Sequence, residues 1–139
     1  GFHMIVRPIR LFKELNITEK DGKYTFEKVG QYTVPAMLNH RAILEGTKRG
    51  IFNEGEVFKS IDYMTEDKAY KLMYIACEGA KKGFMEEMDI DTFISNLDYD
   101  MAEIIYTAES LYLDTIPDTR EEFIASLAEV TVEEEDKKK

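Results

Sequence analysis

The chain of 139 residues carries 28 acidic against 18 basic side chains, a formal net charge of −10, with 44% hydrophobic and 33% charged residues. That length and mixture fit one globular domain with its own core, leave too few residues for two comfortable ones, and exclude a wholly disordered chain. No apolar run approaches the roughly 18 residues needed to cross a bilayer, and a lone cysteine, Cys77, excludes an intramolecular disulfide.

The charge is unevenly placed. Residues 1–83 hold 14 basic and 11 acidic side chains, whereas residues 84–136 hold 17 acidic ones and only Arg120. Such an acidic half repels phosphate backbones, so no nucleic-acid partner is expected there. A mildly basic half beside a strongly acidic one also favours head-to-tail association between copies, against the simpler reading of a solvated acidic face. Gly1, Phe2 and His3 ahead of Met4 read as the remnant of a purification tag. MIVRPIRLF (4–12) is interrupted by Arg7, Pro8 and Arg10 and is not a signal peptide. The reading is one helical domain over residues 4–130, followed by a disordered charged tail over 131–139.

In chain order, RPIRLFKEL (7–15) predicts a short helix after Pro8, with Ile9, Phe12 and Leu15 on one side. Asp21-Gly22 is a turn signal, and Lys23 to Val29 alternates briefly enough for a short extended piece. Thr33 caps a helix reaching about Thr47, with Pro35 in its first turn and His40 and Arg41 in its middle. Ile51 to Tyr63 reads as a short amphipathic helix with Val57, Phe58 and Ile61 inward. The strongest helical signal follows: Met64, Ala69, Leu72, Met73, Ala76 and Ala80 recur at spacings of three to five. Thr65 caps it, Glu66 and Asp67 sit in its first turn, Lys81 and Lys82 close it, and Gly83 supplies the left-handed residue that terminates it.

FMEEM (84–88) reads as a flexible methionine-rich link. Asp89 or Asp91 caps a short helix carrying Phe93, Ile94 and Leu97. Asp98 or Asp100 caps a longer one with Met101, Ile104, Ile105, Ala108, Leu111 and Tyr112. A last helix runs through Phe123, Ile124, Leu127 and Ala128. The expected fold is therefore mostly α, a compact multi-helix domain, with the segment near 23–29 open to an extended structure.

Chemistry-bearing motifs are weak. GTKRG (46–50) lacks the spacing of a phosphate-binding loop. The aspartates of DIDTFISNLDYD (89–100) miss both the turn glycine and the final glutamate of a calcium-binding loop, and capping explains them. Cys77 reads as a core residue, and with the tag excluded His40 is the sole histidine. No enzyme activity, cofactor or metal is expected. What remains is a set of tyrosines and methionines at helical intervals: Tyr70, Met73, Tyr74, Met85, Met88, Met101, Tyr106 and Tyr112. Core packing is the default for such a stripe, and an adaptable protein-binding surface is the functional alternative.

The order YKLMYIACEGAKKG (70–83), a connection, MDIDTFISNLDYD (88–100) and an aliphatic helix to Leu113 resembles the tail assembly chaperones of long-tailed bacteriophages and prophages. The resemblance covers about residues 64–114, with Ile90, Phe93, Ile94, Leu97 and Asp98 matching the family's second helix. It implies a helical protein that coats the tape measure protein during tail building, self-associates, and is displaced as the tail tube protein polymerises. It implies the host cytoplasm and absence from the mature virion. EEEDKKK (133–139) also suits the programmed frameshift by which many members gain a longer form. The alternative from a different class is an acidic adaptor that binds a basic nucleic-acid-handling protein.

Overall fold

The computed structural model describes residues 5–52 and 64–116, together with Ile124, Ala125 and Leu127. Among these, strands β1 (Arg7–Leu11), β2 (Glu14–Lys20), β3 (Lys23–Val29) and β4 (Tyr32–Ala36) precede helices α1 (His40–Lys48), α2 (Glu66–Ala80), α3 (Phe84–Glu87), α4 (Ile90–Ser95) and α5 (Met101–Leu113). The fold is thus mixed, not mostly α. The helix expected from Arg7 is strand, the one expected from Thr33 to Thr47 is strand up to Ala36 and helix from His40, and the extended piece at 23–29 is half of a hairpin.

The four strands make one antiparallel ribbon that breaks once along its length. β1 pairs with β4 from Arg7↔Ala36 to Leu11↔Tyr32, and β2 pairs with β3 from Glu14↔Val29 to Lys20↔Lys23. Asp21 and Gly22 close the hairpin with φ of 53° and 79°, the positive values that a two-residue turn of this twist requires. At the break, Gly30 takes φ of 74° and lies so close to Lys13 that a Cβ would crowd that side chain.

Alternation explains the inner half of the ribbon. Ile9, Leu11, Val34 and Ala36 are buried while Pro8, Arg10, Thr33 and Pro35 face out. Pro8 and Pro35 oppose each other. Arg10, two residues on, turns its N–H to Tyr99 Oη and its C=O to Asp98 N–H, away from β4. By the same alternation the backbone of Pro8 points off the ribbon, so the ladder loses nothing from the missing N–H.

Helix α2 is the axis of the body. Thr65 caps it through Lys68 N–H at 3.3 Å, with Glu66 and Asp67 in its first turn. Ala69 and the run Leu72 to Glu78 are buried. It packs against α1 and α5, against β4, and against α3 and α4. The α1 side is a close crossing: Gly79 lies against Met37 O, 2.7 Å would separate an added Cβ from Asn39 Oδ1, and 2.9 Å from Ala42 Cβ. Asn39 serves both helices, accepting from Ala42 N–H at 2.9 Å as the α1 cap and donating to Gly79 O at 3.0 Å.

His40 is therefore the first residue of α1 rather than mid-helix. FMEEM, expected to be a flexible link, holds the short helix α3 with Phe84 and Met85 buried. Tyr74, Phe84 and Phe93 pack as a trio with centroids 5.3–5.9 Å apart. Asp89 and Asp100, not Asp91 and Asp98, cap α4 and α5, accepting from Thr92 and Glu103 N–H at 2.7 Å each. The expected helix over Ile51–Tyr63 falls mostly outside the described residues, though Phe52 is buried. Most of the helix expected around Phe123–Ala128, and the tail 131–139, also lie outside them.

Candidate functional site

The eight tyrosines and methionines singled out by spacing do not form one surface. Met73, Tyr74 and Met85 are core residues. Burial pushes the Tyr74 phenol up, and its hydroxyl is held by Met88 O at 2.5 Å. Tyr70, Met88 and Tyr112 are half-buried against the core. Only Met101 and Tyr106 are well exposed, at 51% and 70%. Tyr70 Oη reaches Met101 Sδ at 3.9 Å, so these two are neighbours across α2 and α5.

Helix α5 buries Ile104, Ala108 and Leu111 and exposes Tyr106 and Leu113 on the opposite side, while Met101, on the buried side, is exposed in the first turn beside Tyr70. Beside it, a groove of about 380 Å³ runs between β1 and α5 past Arg7, Arg10, Tyr99, Glu103 and Tyr106. Its charged groups hold each other. Arg10 stacks on the Tyr99 ring at 4.3 Å and pairs with Glu103 at 2.5 Å, and Arg7 forks onto Asp114 at 2.5 and 2.8 Å. The groove is a brace between ribbon and helix, with an aromatic rim.

Ion pairs between the basic and acidic halves recur within the one chain. Besides the two arginine pairs just described, Lys28 meets Asp98 at 2.7 Å, Lys81 meets Glu87 at 3.2 Å and Arg49 meets Glu86 at 3.4 Å. Five of the nine acidic side chains described between residues 84 and 116 thus pair with cations of the first half of the same chain.

The feature that spacing alone did not bring out is the outer half of the ribbon. β2 and β3 project as an arm in which Leu15, Ile17, Tyr24 and Phe26 are 48%, 64%, 72% and 67% exposed. Cross-strand register puts these four on one face, since Ile17 opposes Phe26 and Glu19 opposes Tyr24. The other face is polar, with Thr18 and Thr25 hydroxyls 2.7 Å apart. Asp98 holds the arm at its root, accepting from Lys28 Nζ and, at 2.9 Å, from Gln31 Nε2. The alternation of Leu15 and Ile17 was the available signal.

Among the described residues, no group of three or more His, Cys, Asp or Glu is placed to hold a metal ion, and no helix is long and apolar enough to cross a membrane. Cys77 is buried, and burial pushes its thiol far up. No family model, no curated protein and no solved structure matches this chain.

Proposed function

We propose that this protein is a protein-binding assembly factor of the phage tail chaperone kind, engaging the tape measure protein and self-associating, in the cytoplasm of a bacterial host and outside the mature virion. The observation that carries the reading is the exposure of Tyr106 and Leu113 on the side of α5 turned away from its buried stripe, α5 being the helix that ends the stretch resembling that family. Met101, Tyr106 and Leu113 lie exposed on a helix otherwise anchored by Ile104, Ala108 and Leu111. Exposed apolar side chains grouped on one element, with aromatic and methionine residues prominent, suit recognition of a partner segment. The stretches that carry the resemblance form α2, α4 and α5, packed about a common core. These helices share that core with Ile9, Leu11, Val34 and Ala36 of β1 and β4, so the binding body is a mixed unit whose strands the resemblance did not imply.

The acidic-adaptor alternative has less support. Asp98, Glu103, Asp114, Glu86 and Glu87, which make up much of the described acidic segment, face cations of their own chain.

Co-expression with a tape measure protein from the same genome tests the reading. The expected result is a soluble complex that co-purifies, and that is weakened by Met101→Ser with Tyr106→Ser. A tape measure protein equally soluble and unbound with and without this chain overturns it.

A further inference from the structure

Among the described residues, the arm has an open edge as well as an exposed apolar face. β2 is one of two strands in its sheet, so one of its edges has no strand beside it among the described residues. The two-residue turn makes Lys20 and Lys23 a hydrogen-bonded pair. Counting back by twos, Glu14, Asn16 and Thr18 turn their backbone groups toward β3, and Leu15, Ile17 and Glu19 turn theirs outward. A two-stranded ribbon is marginal in water, and an open edge is a template for another strand.

We propose that β2 pairs antiparallel with β2 of a second copy, about a two-fold axis at Ile17. The two arms then form a single four-stranded sheet in the order β3, β2, β2, β3. The strand is complementary to its own reverse. Glu14 falls opposite the other copy's Lys20, and this pair occurs twice by symmetry. Asn16 falls opposite Thr18, Leu15 opposite the stem of Glu19, and Ile17 opposite itself. The outward N–H and C=O groups of Leu15, Ile17 and Glu19 all find partners in this register.

β3 matches its own reverse less fully. Reversed about Phe26, it sets Tyr24 against Lys28 and Lys23 against Val29, without an opposite-charge pair; reversed about Thr25, it sets Lys23 against Glu27 but pairs only residues 23–27, where β2 pairs all seven of its residues. Because opposed residues share a face, Leu15, Ile17, Tyr24 and Phe26 of both copies line one side of the joined sheet. An isologous contact of this kind closes on itself as a dimer. The inference rests on the self-association in the reading above, not on the identity of its partner.

The test uses the full chain in sedimentation velocity, with cysteine crosslinking. An axis at Ile17 sets the two Ile17 Cα atoms about 5.5 Å apart, within disulfide reach. It sets the two Phe26 Cα atoms three strand spacings apart, about 14 Å, which is out of reach. Cys77 is buried, so an introduced thiol is the reactive one. Ile17→Cys is expected to oxidise to a covalent dimer and Phe26→Cys is not. Glu14→Lys should weaken dimerisation roughly tenfold or more, and adding Lys20→Glu should restore it. These positions are exposed, and circular dichroism checks that the variants stay folded.

A dimer that Glu14→Lys leaves unchanged, with Ile17→Cys unlinked or Phe26→Cys linked as readily, overturns β2 pairing and leaves self-association through another surface. A chain that stays monomeric at every concentration overturns both.

Discussion

Glu78, 1% exposed, is joined to Arg41 by a 2.7 Å contact from Arg41 Nη2 to Glu78 Oε2, while Arg41 Nη1 donates to the Glu78 carbonyl at 2.6 Å. The carboxylate also accepts from Met85 N–H at 3.0 Å and Gly83 N–H at 2.9 Å. One side chain therefore ties α1, the end of α2 and the start of α3 together. Arg41→Ala removes the cation and leaves the buried carboxylate with its two backbone donors. The expected loss is about 2 kcal/mol, below the full penalty for breaking a buried pair because Arg41 itself is a third exposed. Urea unfolding measures it.

Acid should unfold the protein through the same group. Burial alone raises the Glu78 pKa, but the Met85 and Gly83 N–H groups and Arg41 outweigh it and hold the carboxyl below its ordinary value. Asp98 is likewise held down, by Lys28 first and by Gln31 against the opposing effect of burial. Asp89 and Asp100 are held down chiefly by the N–H groups they cap. A depressed folded-state pKa means that the unfolded chain takes up protons first. Stability from these groups is complete above the unfolded values, about 3.9–4.3, and is lost as pH falls through the folded ones. Urea midpoints should be flat near neutrality and fall below about pH 4.5. Glu78→Gln should be less stable at pH 7 and show a shallower acid decline. A wild-type midpoint independent of pH down to 3 would contradict this.

Gly79→Ala sets two effects against each other. Helix propensity favours alanine by about 1 kcal/mol. The new Cβ, however, meets Met37 O, Asn39 Oδ1 and Ala42 Cβ at distances that ordinary packing does not allow. Two of these atoms belong to the cap and first turn of α1, so α1 has to move off α2. The clash wins, and a net loss of about 2 kcal/mol is expected in urea unfolding.

These elements also show what the sequence made legible. Local chemistry read well: Thr65 is the α2 cap, Asp21-Gly22 is a turn, Gly83 is left-handed, Cys77 is core and the aspartates cap helices. The ribbon was hidden because Ile9, Phe12 and Leu15 recur at intervals of three, which imitates a helix, while Ile9 and Leu11 give only two points of true alternation. Thr33 and Pro35 imitate a helix start, but the working cap is Asn39, and Pro35 sits on a strand opposite Pro8. For the site, the limit was geometric. Every residue from Leu72 to Glu78 is buried, because α2 is surrounded, so periodicity along it cannot say which side is free.

Asp98→Ala should loosen the arm without unfolding the body. It removes the anchors of Lys28 and Gln31, each partly exposed and together worth about 1 kcal/mol. Amides of β2 and β3 should exchange several-fold faster while those of α2 hold their protection. Equal loss of protection in arm and core would mean that Asp98 supports the whole fold instead.

The tyrosines give the sharpest separation of binding from folding. Tyr74 and Tyr106 both belong to the stripe read from the sequence, yet one is 3% exposed and the other 70%. Tyr74→Ala opens a cavity beside Phe84 and Phe93 and orphans Met88 O. It should cost about 3–5 kcal/mol in urea unfolding, and any loss of partner binding should track the unfolded fraction. Tyr106→Ala removes a ring that stands mostly in water on α5, so stability should change by less than about 0.5 kcal/mol. If α5 is the binding surface, affinity for the tape measure protein, measured by calorimetry, should fall about tenfold or more with the fold intact. A Tyr106→Ala protein that binds as tightly as the parent moves the partner surface off α5, leaving the exposed face of the arm as the place to mutate next.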